Sequence, residues 1–271
     1  MIQTGKRGVF GLLKCDACVE RIHFTPRTSI ALVGRKVMAR NLSDIAAMGG
    51  KPLYALVSAS LPDRISDSKR NALVEALRRT GRRFGCEVIG GDTTRSKSDL
   101  FLSVFVYGEV ERKHLLTRSG AKPGHEVFVT GKLGGSLAGK HLAFQPRLAE
   151  ARWLASRFKP SAAIDLSDGL GGDLHRLAEQ SNVGFKIDER RLPLSDGCSV
   201  YQALYDGEDY EILFCVPKSK SRALMRAWKK KFRLPLTRIG RVKPRIFGVQ
   251  LYAFGKLRPI ASSYDHFRHH A

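Results

Sequence analysis

Long hydrophobic runs are missing from this 271-residue chain. No stretch approaches the roughly 18 consecutive apolar residues that a membrane span needs. The longest apolar segments, around 53–61 and 100–107, have the length of strands, so no membrane partner is expected. The run at 9–13 is too brief for a signal peptide. Cysteine is scarce, with 5 residues (Cys15, Cys18, Cys86, Cys198 and Cys215) in an odd, scattered set. That usage argues against a disulfide framework and for a reducing cytoplasm. Cys15 and Cys18 form a C-x-x-C with no second pair or His cluster at zinc spacing, and read as ordinary thiols. Acidic residues are in deficit: 25 Asp plus Glu face 47 Lys plus Arg, a net charge of +22. Such an excess attracts polyanions, acidic membrane surfaces or phosphorylated small molecules without choosing among them. Also absent are a Walker A sequence, a protein-kinase Gly-rich loop and internal repeats.

What is present is enough apolar material for a core, with 43% hydrophobic and 27% charged residues. The length suits one large domain or two of ordinary size. Helical periods alternate with short β-rich runs throughout, which predicts a mixed α/β (α+β) fold. In the first part, helices are expected over 33–48 and 66–84. The second of these carries Leu73, Val74 and Leu77 inside and Arg78, Arg79, Arg82 and Arg83 outside. Strands are expected over 53–61, 87–89 and 100–110. A turn cluster at 119–124 predicts a boundary between domains 1–121 and 122–271. Beyond it, strands are expected over 126–130, 162–166 and 210–216, with helices over 135–144, 146–157, 169–180 and 219–232 and a β-rich end.

In so basic a chain, acids in apolar or glycine-rich surroundings carry the information, and there are four such places. Asp16 closes the apolar run 9–13, where its simplest role is to start a turn at a strand end. Asp44 shares a helical face with Asn41 and Met48, on a surface otherwise rich in Ala, Met and Ile. A buried carboxylate needs a cation there, either an Arg or a metal, unless it is partly exposed. Asp92 follows a strand in Ile89-Gly90-Gly91-Asp92-Thr93-Thr94. There the glycines let backbone N–H groups approach an anion, and Asp and Thr offer the hard oxygens that Mg²⁺ prefers. Asp165, Ser167 and Asp168 sit at a strand-to-helix junction, with an N-cap as the plain alternative for Asp168. Repeated Asp residues at strand ends beside Gly, Ser and Thr suit a nucleotide-bound Mg²⁺.

Seven motifs in register carry a resemblance: CDACVERIHF (15–24), NLSDIAAMGG (41–50), IGGDTTR (89–95), LTRSGAKPG (116–124), AIDLSDGL (163–170), DGEDYEILF (206–214) and SYDHF (263–267). In these the chain resembles the thiamine-monophosphate kinases, of the aminoimidazole ribonucleotide synthetase-like superfamily. The resemblance implies a two-domain fold whose N-terminal domain contributes to a dimeric β-barrel, and a C-terminal α/β domain closing over the site. It implies a cytoplasmic homodimer that uses ATP to phosphorylate thiamine monophosphate to thiamine diphosphate. By motif, Asp16, Asp44, Asp92, Asp165 and Asp168 would be Mg²⁺ ligands. Gly91, Asp92, Arg118 and Ser167 would contact ATP, and His23, Glu208 and Tyr264 the thiamine phosphate. No residue is assigned as a general base.

The sequence also departs from the family. An acidic Gly-Asp-Asp segment that supplies a metal ligand normally precedes the Asp16 motif, yet residues 1–15 contain no Asp or Glu. Cys15 stands where a hydroxyl residue is usual, and Ser263 where glycine is usual. Three readings follow: the true start lies upstream, the enzyme works with fewer ligands, or the chain is a degenerate homologue that binds nucleotide with little turnover. A different class is a nucleic-acid-binding protein using Arg78, Arg79, Arg82 and Arg83 with Lys229, Lys230, Lys231 and Arg233. No base-stacking module or groove-reading motif accompanies these clusters, so they read as solvated helix faces.

Overall fold

A computed structural model describes residues 1–262. The Tyr264 assignment and the 263–267 motif lie outside the described residues. The chain forms two compact units, 1–115 with 142–148, and 116–141 with the chain from 149 onward.

In the first unit the elements run β1 (Ile2–Gln3), β2 (Val9–Val19), α1 (Ile30–Ala47), β3 (Lys51–Pro62), α2 (Asp67–Arg83), β4 (Glu87–Ser96) and β5 (Phe101–Glu111). The sheet has five strands in the order β1-β2-β5-β3-β4. β2 and β3 both pair antiparallel with β5, while β4 lies parallel to β3 after the α2 crossover. Helix α1 is buried along almost its whole length, from Val33 to Ala47. Helix α2 is different. Its side towards the core is Leu73, Ala76, Leu77, Thr80 and Gly81, and Val74, expected inside, is 43% exposed. Ser66 caps α2 by accepting the Lys69 N–H at 3.4 Å, and the four arginines of its outer face are exposed.

Strand β2 alternates regularly. On β2, Leu12, Lys14, Asp16 and Cys18 point one way and Leu13, Cys15 and Ala17 the other, because successive side chains leave opposite faces. Cys15 is therefore exposed and Cys18 buried, so the C-x-x-C pair straddles the sheet and cannot hold one ion between its two thiols. Two strand expectations need correction. Asp16 does not close a strand; it lies inside the 11-residue β2, opposite Val104. Strand β4 does not stop at Gly90-Gly91 but runs through both to Ser96, with Ile89 bulged where the register against β3 shifts.

From residue 116 onward the elements run β6 (Glu126–Thr130), α3 (Lys140–Ala143), α4 (Leu148–Arg157), β7 (Ala162–Asp165), α5 (Leu170–Ser181), β8 (Val183–Asp188), α6 (Val200–Tyr205), β9 (Ile212–Val216), α7 (Lys218–Lys231), β10 (Leu236–Pro244), β11 (Val249–Ala253) and β12 (Lys256–Pro259). The sheet has seven strands in the order β12-β11-β8-β10-β6-β9-β7. β6, β7 and β9 are buried at every position, as expected of strands covered on both faces. One face carries Val127, Val129, Leu213 and Cys215 with Leu170, Leu174 and Leu177 of α5. Trp153, Phe158, Trp228 and Phe232 form an aromatic cluster with ring centroids 4.6–5.8 Å apart. The helix expected over 135–144 is instead a short 3-10 turn at Ser136–Ala138 and the four-residue α3. Gly134, Gly135 and Gly139, all at positive φ, interrupt it. Helix α4 begins at Leu148 rather than 146. Among the described residues, no helix is long and apolar enough to cross a membrane.

Candidate active site

In the first unit, the structure brings Asp16 and Asp44 together. Asp16 faces α1 because of the β2 alternation, and Asp44 projects from α1 towards it. Lys14, two residues before Asp16 and so on the same face, places its ammonium 3.2 Å from Asp16 Oδ1 and 3.0 Å from Asp44 Oδ2. Burial works against the Lys14 charge, but the Asp44 and Asp16 carboxylates outweigh it and raise the lysine pKa. Arg40 Nε lies 3.5 Å from Asp16 Oδ2. Buried Asn41 ties strand to helix by donating to the carbonyls of Val37 at 2.9 Å and Asp16 at 3.4 Å. Lys14 thus supplies a positive charge beside Asp44 that sequence reasoning, which offered an arginine or a metal, did not name.

His23 follows β2 and is held from two sides. Its Nδ1 accepts the Val19 N–H at 3.1 Å. Its carbonyl accepts from the fully buried Lys36 ammonium at 2.6 Å. Asp92 does not join Asp16 and Asp44. On β4 it lies opposite Ser58 of β3, and both are exposed on the sheet face away from α1. Gly91 is required for packing at this point, since a Cβ there would stand 1.9 Å from the Val57 carbonyl oxygen.

In the second unit, two motifs distant in sequence interlock. Leu166 N–H donates to Glu211 O, Tyr210 N–H to Leu166 O and Glu208 N–H to Ser167 O, at 2.7–2.9 Å. The SDGL and GEDYE segments therefore form one backbone framework. Gly169 and Gly207, both at positive φ, let it close, because a Cβ would meet Leu204 O at 2.6 Å or Ser167 O at 2.8 Å. Asp165 is buried at the end of β7. Asp168 is no N-cap by side chain: Gly169 occupies that position, and the Asp168 carboxylate pairs with Arg176. Arg176 also pairs with Asp173 at 2.6 Å, and Asp173 accepts the N–H groups of Ser167 and Asp168 at 3.1 and 3.2 Å. Burial, then the Asp168 charge, push Asp173 up to about 7 against the pull of Arg176.

Glu208 Oε2 lies 2.9 Å from His141 Nδ1 and its other oxygen accepts from Tyr210 OH at 3.4 Å. Glu208 and Tyr210 hold left-handed backbone at φ 56° and 50°, a conformation that costs energy for residues with side chains and concentrates at functional sites. Between them, buried Asp209 accepts from Gly134 N–H and Ser136 OH and lies 3.4 Å from Lys140, which is 3.5 Å from Glu211. Arg118 is exposed, and its carbonyl accepts from Ser181 OH. Lys14, Lys140, His141, Asp173 and Asp209 escaped sequence reasoning. Only Lys14 left a signal, its two-residue spacing from Asp16 on a strand.

Comparison with known proteins sorts these features. Residues 5–110 match AIR synthase related protein, N-terminal domain, and residues 110–250 match AIR synthase related protein, C-terminal domain. The thiamine-monophosphate kinase of Bacillus subtilis is 34% identical over 273 residues, covering 90% of this chain and 83% of the relative. The chain belongs to the thiamine-monophosphate kinase family. The Escherichia coli K12 member is also 34% identical, covering 94% and 86%. The solved kinase of Stenotrophomonas maltophilia superposes with a TM-score of 0.84 at 30% identity over 94% of this chain and 88% of that one. A structure described as AaThiL complexed with AMPPCP and TMP superposes with a TM-score of 0.81 at 31% identity, covering 93% and 86%. The two-domain AIR-synthase-like fold expected from sequence is the fold observed.

Proposed function

We infer that this protein is a thiamine-monophosphate kinase that transfers the terminal phosphoryl group of ATP to thiamine monophosphate, giving ADP and thiamine diphosphate. The observation that carries the reading is the interlocked SDGL and GEDYE framework, in a chain whose relatives over nine-tenths of its length are kinases of this name. The acceptor is a phosphate monoester with a second pKa of about 6, so its attacking oxygen is largely ionised at neutral pH. No general base is needed. The barrier is electrostatic, because two anionic phosphates must be brought in line.

The residues suit that task as donors of charge and direction. Asp16, Asp44, Asp92, Asp165 and Asp168 supply hard carboxylate oxygens of the kind Mg²⁺ takes. Asp16 and Asp44 form a cation-binding pair, with the Lys14 ammonium as the positive charge within 3.2 Å of both. When bound, Mg²⁺ neutralises phosphate charge. Gly91, Asp92, Arg118 and Ser167 would contact ATP, with Arg118 adding a positive charge near the phosphates. His23, with Nδ1 committed to Val19, would offer Nε2–H to the thiamine phosphate. Glu208, oriented by His141, would face the cationic thiazolium. Domain 1–121 would carry nucleotide, metal and the pairing surface, and 122–271 the rest of the substrate site. A reducing cytoplasm suits five cysteines of which none forms a disulfide.

The exposed side of the first sheet carries Leu13, Tyr54, Leu56, Ile89 and Phe101, each 37–60% exposed. An apolar face of this kind supports a homodimer built on that sheet. The test of the activity is direct: incubate the protein with ATP, thiamine monophosphate and MgCl₂, and follow ADP together with thiamine diphosphate by chromatography. Equal amounts of the two products are expected, and no ADP above the protein-free control sinks the reading.

A further inference from the structure

We propose that Lys14 is a built-in cation that takes the place of one divalent ion between Asp16 and Asp44, so that this carboxylate pair binds no metal in the wild-type chain. The inference rests on the reading of Asp16 and Asp44 as cation-binding carboxylates and deepens it. The Lys14 ammonium stands 3.2 and 3.0 Å from one oxygen of each. A Mg²⁺ ion needs its oxygens at about 2.0–2.1 Å in near-octahedral order. The ammonium occupies the space between the two carboxylates in which an ion bridging them would sit.

Charge leads to the same result. The two carboxylates bring two negative charges to this spot. Lys14 and Arg40, 3.5 Å from the second oxygen of Asp16, return two positive ones. These pairs balance one another, so a divalent ion entering between the two carboxylates meets the repulsion of two fixed cations. Both lysine and carboxylates are only a quarter exposed, 26% for Lys14, 28% for Asp16 and 23% for Asp44, so water screens the pairs weakly. The lysine is also tethered. Its Cα is fixed in β2 two residues from Asp16, and its stem lies on the same strand face by the pleat. A covalently attached ammonium competes with free ions at a high effective concentration. In neither unit do three or more His, Cys, Asp or Glu side chains among the described residues gather as a ready metal cage.

Mn²⁺ binding to the purified full chain, without nucleotide, tests the proposal by the loss of the free-ion electron paramagnetic resonance signal. Wild type, Asp44→Asn, Lys14→Ser and Lys14→Ser with Asp44→Asn are compared, each checked for folding by circular dichroism. The expected result is the same Mn²⁺ count in wild type and Asp44→Asn, one additional ion per chain in Lys14→Ser, and loss of that ion in the double variant. Lys14→Arg keeps the wild-type count. If Lys14→Ser fails to fold, the longer neutral Lys14→Gln takes its place. A wild-type count that drops in Asp44→Asn, or no gain when the lysine charge is removed from a folded chain, overturns the proposal. Because ATP and thiamine monophosphate are left out, such a failure is separate from that of the kinase reading, which stands or falls on ADP formation.

Discussion

At the scale of single residues, buried charge decides most of what this chain does, and Asp173 shows how. It is 1% exposed, its two oxygens are committed to Arg176 and to the Ser167 and Asp168 amides, and its pKa is raised to about 7 by burial and by the Asp168 charge. An acid whose folded pKa exceeds its unfolded value binds more protons when folded. Its contribution to stability is therefore complete below the unfolded value near 4 and declines as pH rises towards about 7. Carbon-13 NMR of aspartate-labelled protein should show Asp173 titrating near neutrality, and the stability of wild type should lose ground to Asp173→Asn between pH 4 and 7. A midpoint below 4 refutes this. Sequence reasoning found the carboxylates but not their partners. Asp16, Asp44 and Asp168 were legible as acids in the wrong surroundings. Arg176 and His141 were not, and Lys14 only by its spacing from Asp16, because one basic residue among 47 Lys and Arg and 8 His carries little local mark. Only the fold separates the few that face an acid from the many that face water.

At the scale of elements, most strands and helices were legible because their periodicities are long, and the misses share a cause. Glycine ends predicted strands, yet β4 runs through Gly90 and Gly91 because pairing with β3 supplies what local propensity does not. The two glycines differ in kind. A Cβ at Gly90 meets only Leu56 Cδ2, at 3.5 Å, whereas at Gly91 it would stand 1.9 Å from a backbone oxygen that cannot move alone. Gly91→Ala should therefore cost about 1–3 kcal/mol of unfolding free energy or more, as overpacking does. Gly90→Ala should change it by less than about 1 kcal/mol. Denaturant melts of the two variants measure the contrast, and equal losses would show that Gly91 is not held by β3. In the second unit, 135–144 reads as one helix by composition, but its glycines at positive φ break it into short turns that carry Lys140 and His141 to Asp209 and Glu208.

At the scale of the whole molecule, the net charge of +22 explains little of the chemistry. Arg78, Arg79, Arg82 and Arg83 lie on the exposed face of α2 and Lys229, Lys230 and Lys231 on that of α7, as solvated helix faces do. The stronger whole-molecule feature is apolar. A five-stranded sheet covered by α1 and α2 on one side leaves Leu13, Tyr54, Leu56, Ile89 and Phe101 at least 37% exposed on the other strands and edge. Apolar side chains clustered on one sheet mark an association surface rather than scattered surface residues. A second copy of the chain is the partner argued for above, and sedimentation equilibrium at micromolar concentration is expected to give twice the chain mass. Leu56 sits at the centre of that face, opposite Phe105 on β5 and Gly90 on β4. Leu56→Lys places a charge where apolar contact is needed, so the dimer dissociation constant should rise at least about tenfold, equivalent to roughly 1.4 kcal/mol. The fold should survive, since the side chain is 45% exposed in the single chain. A wild type that sediments as a monomer, or a Leu56→Lys protein as tightly paired as wild type, would assign the apolar face another role.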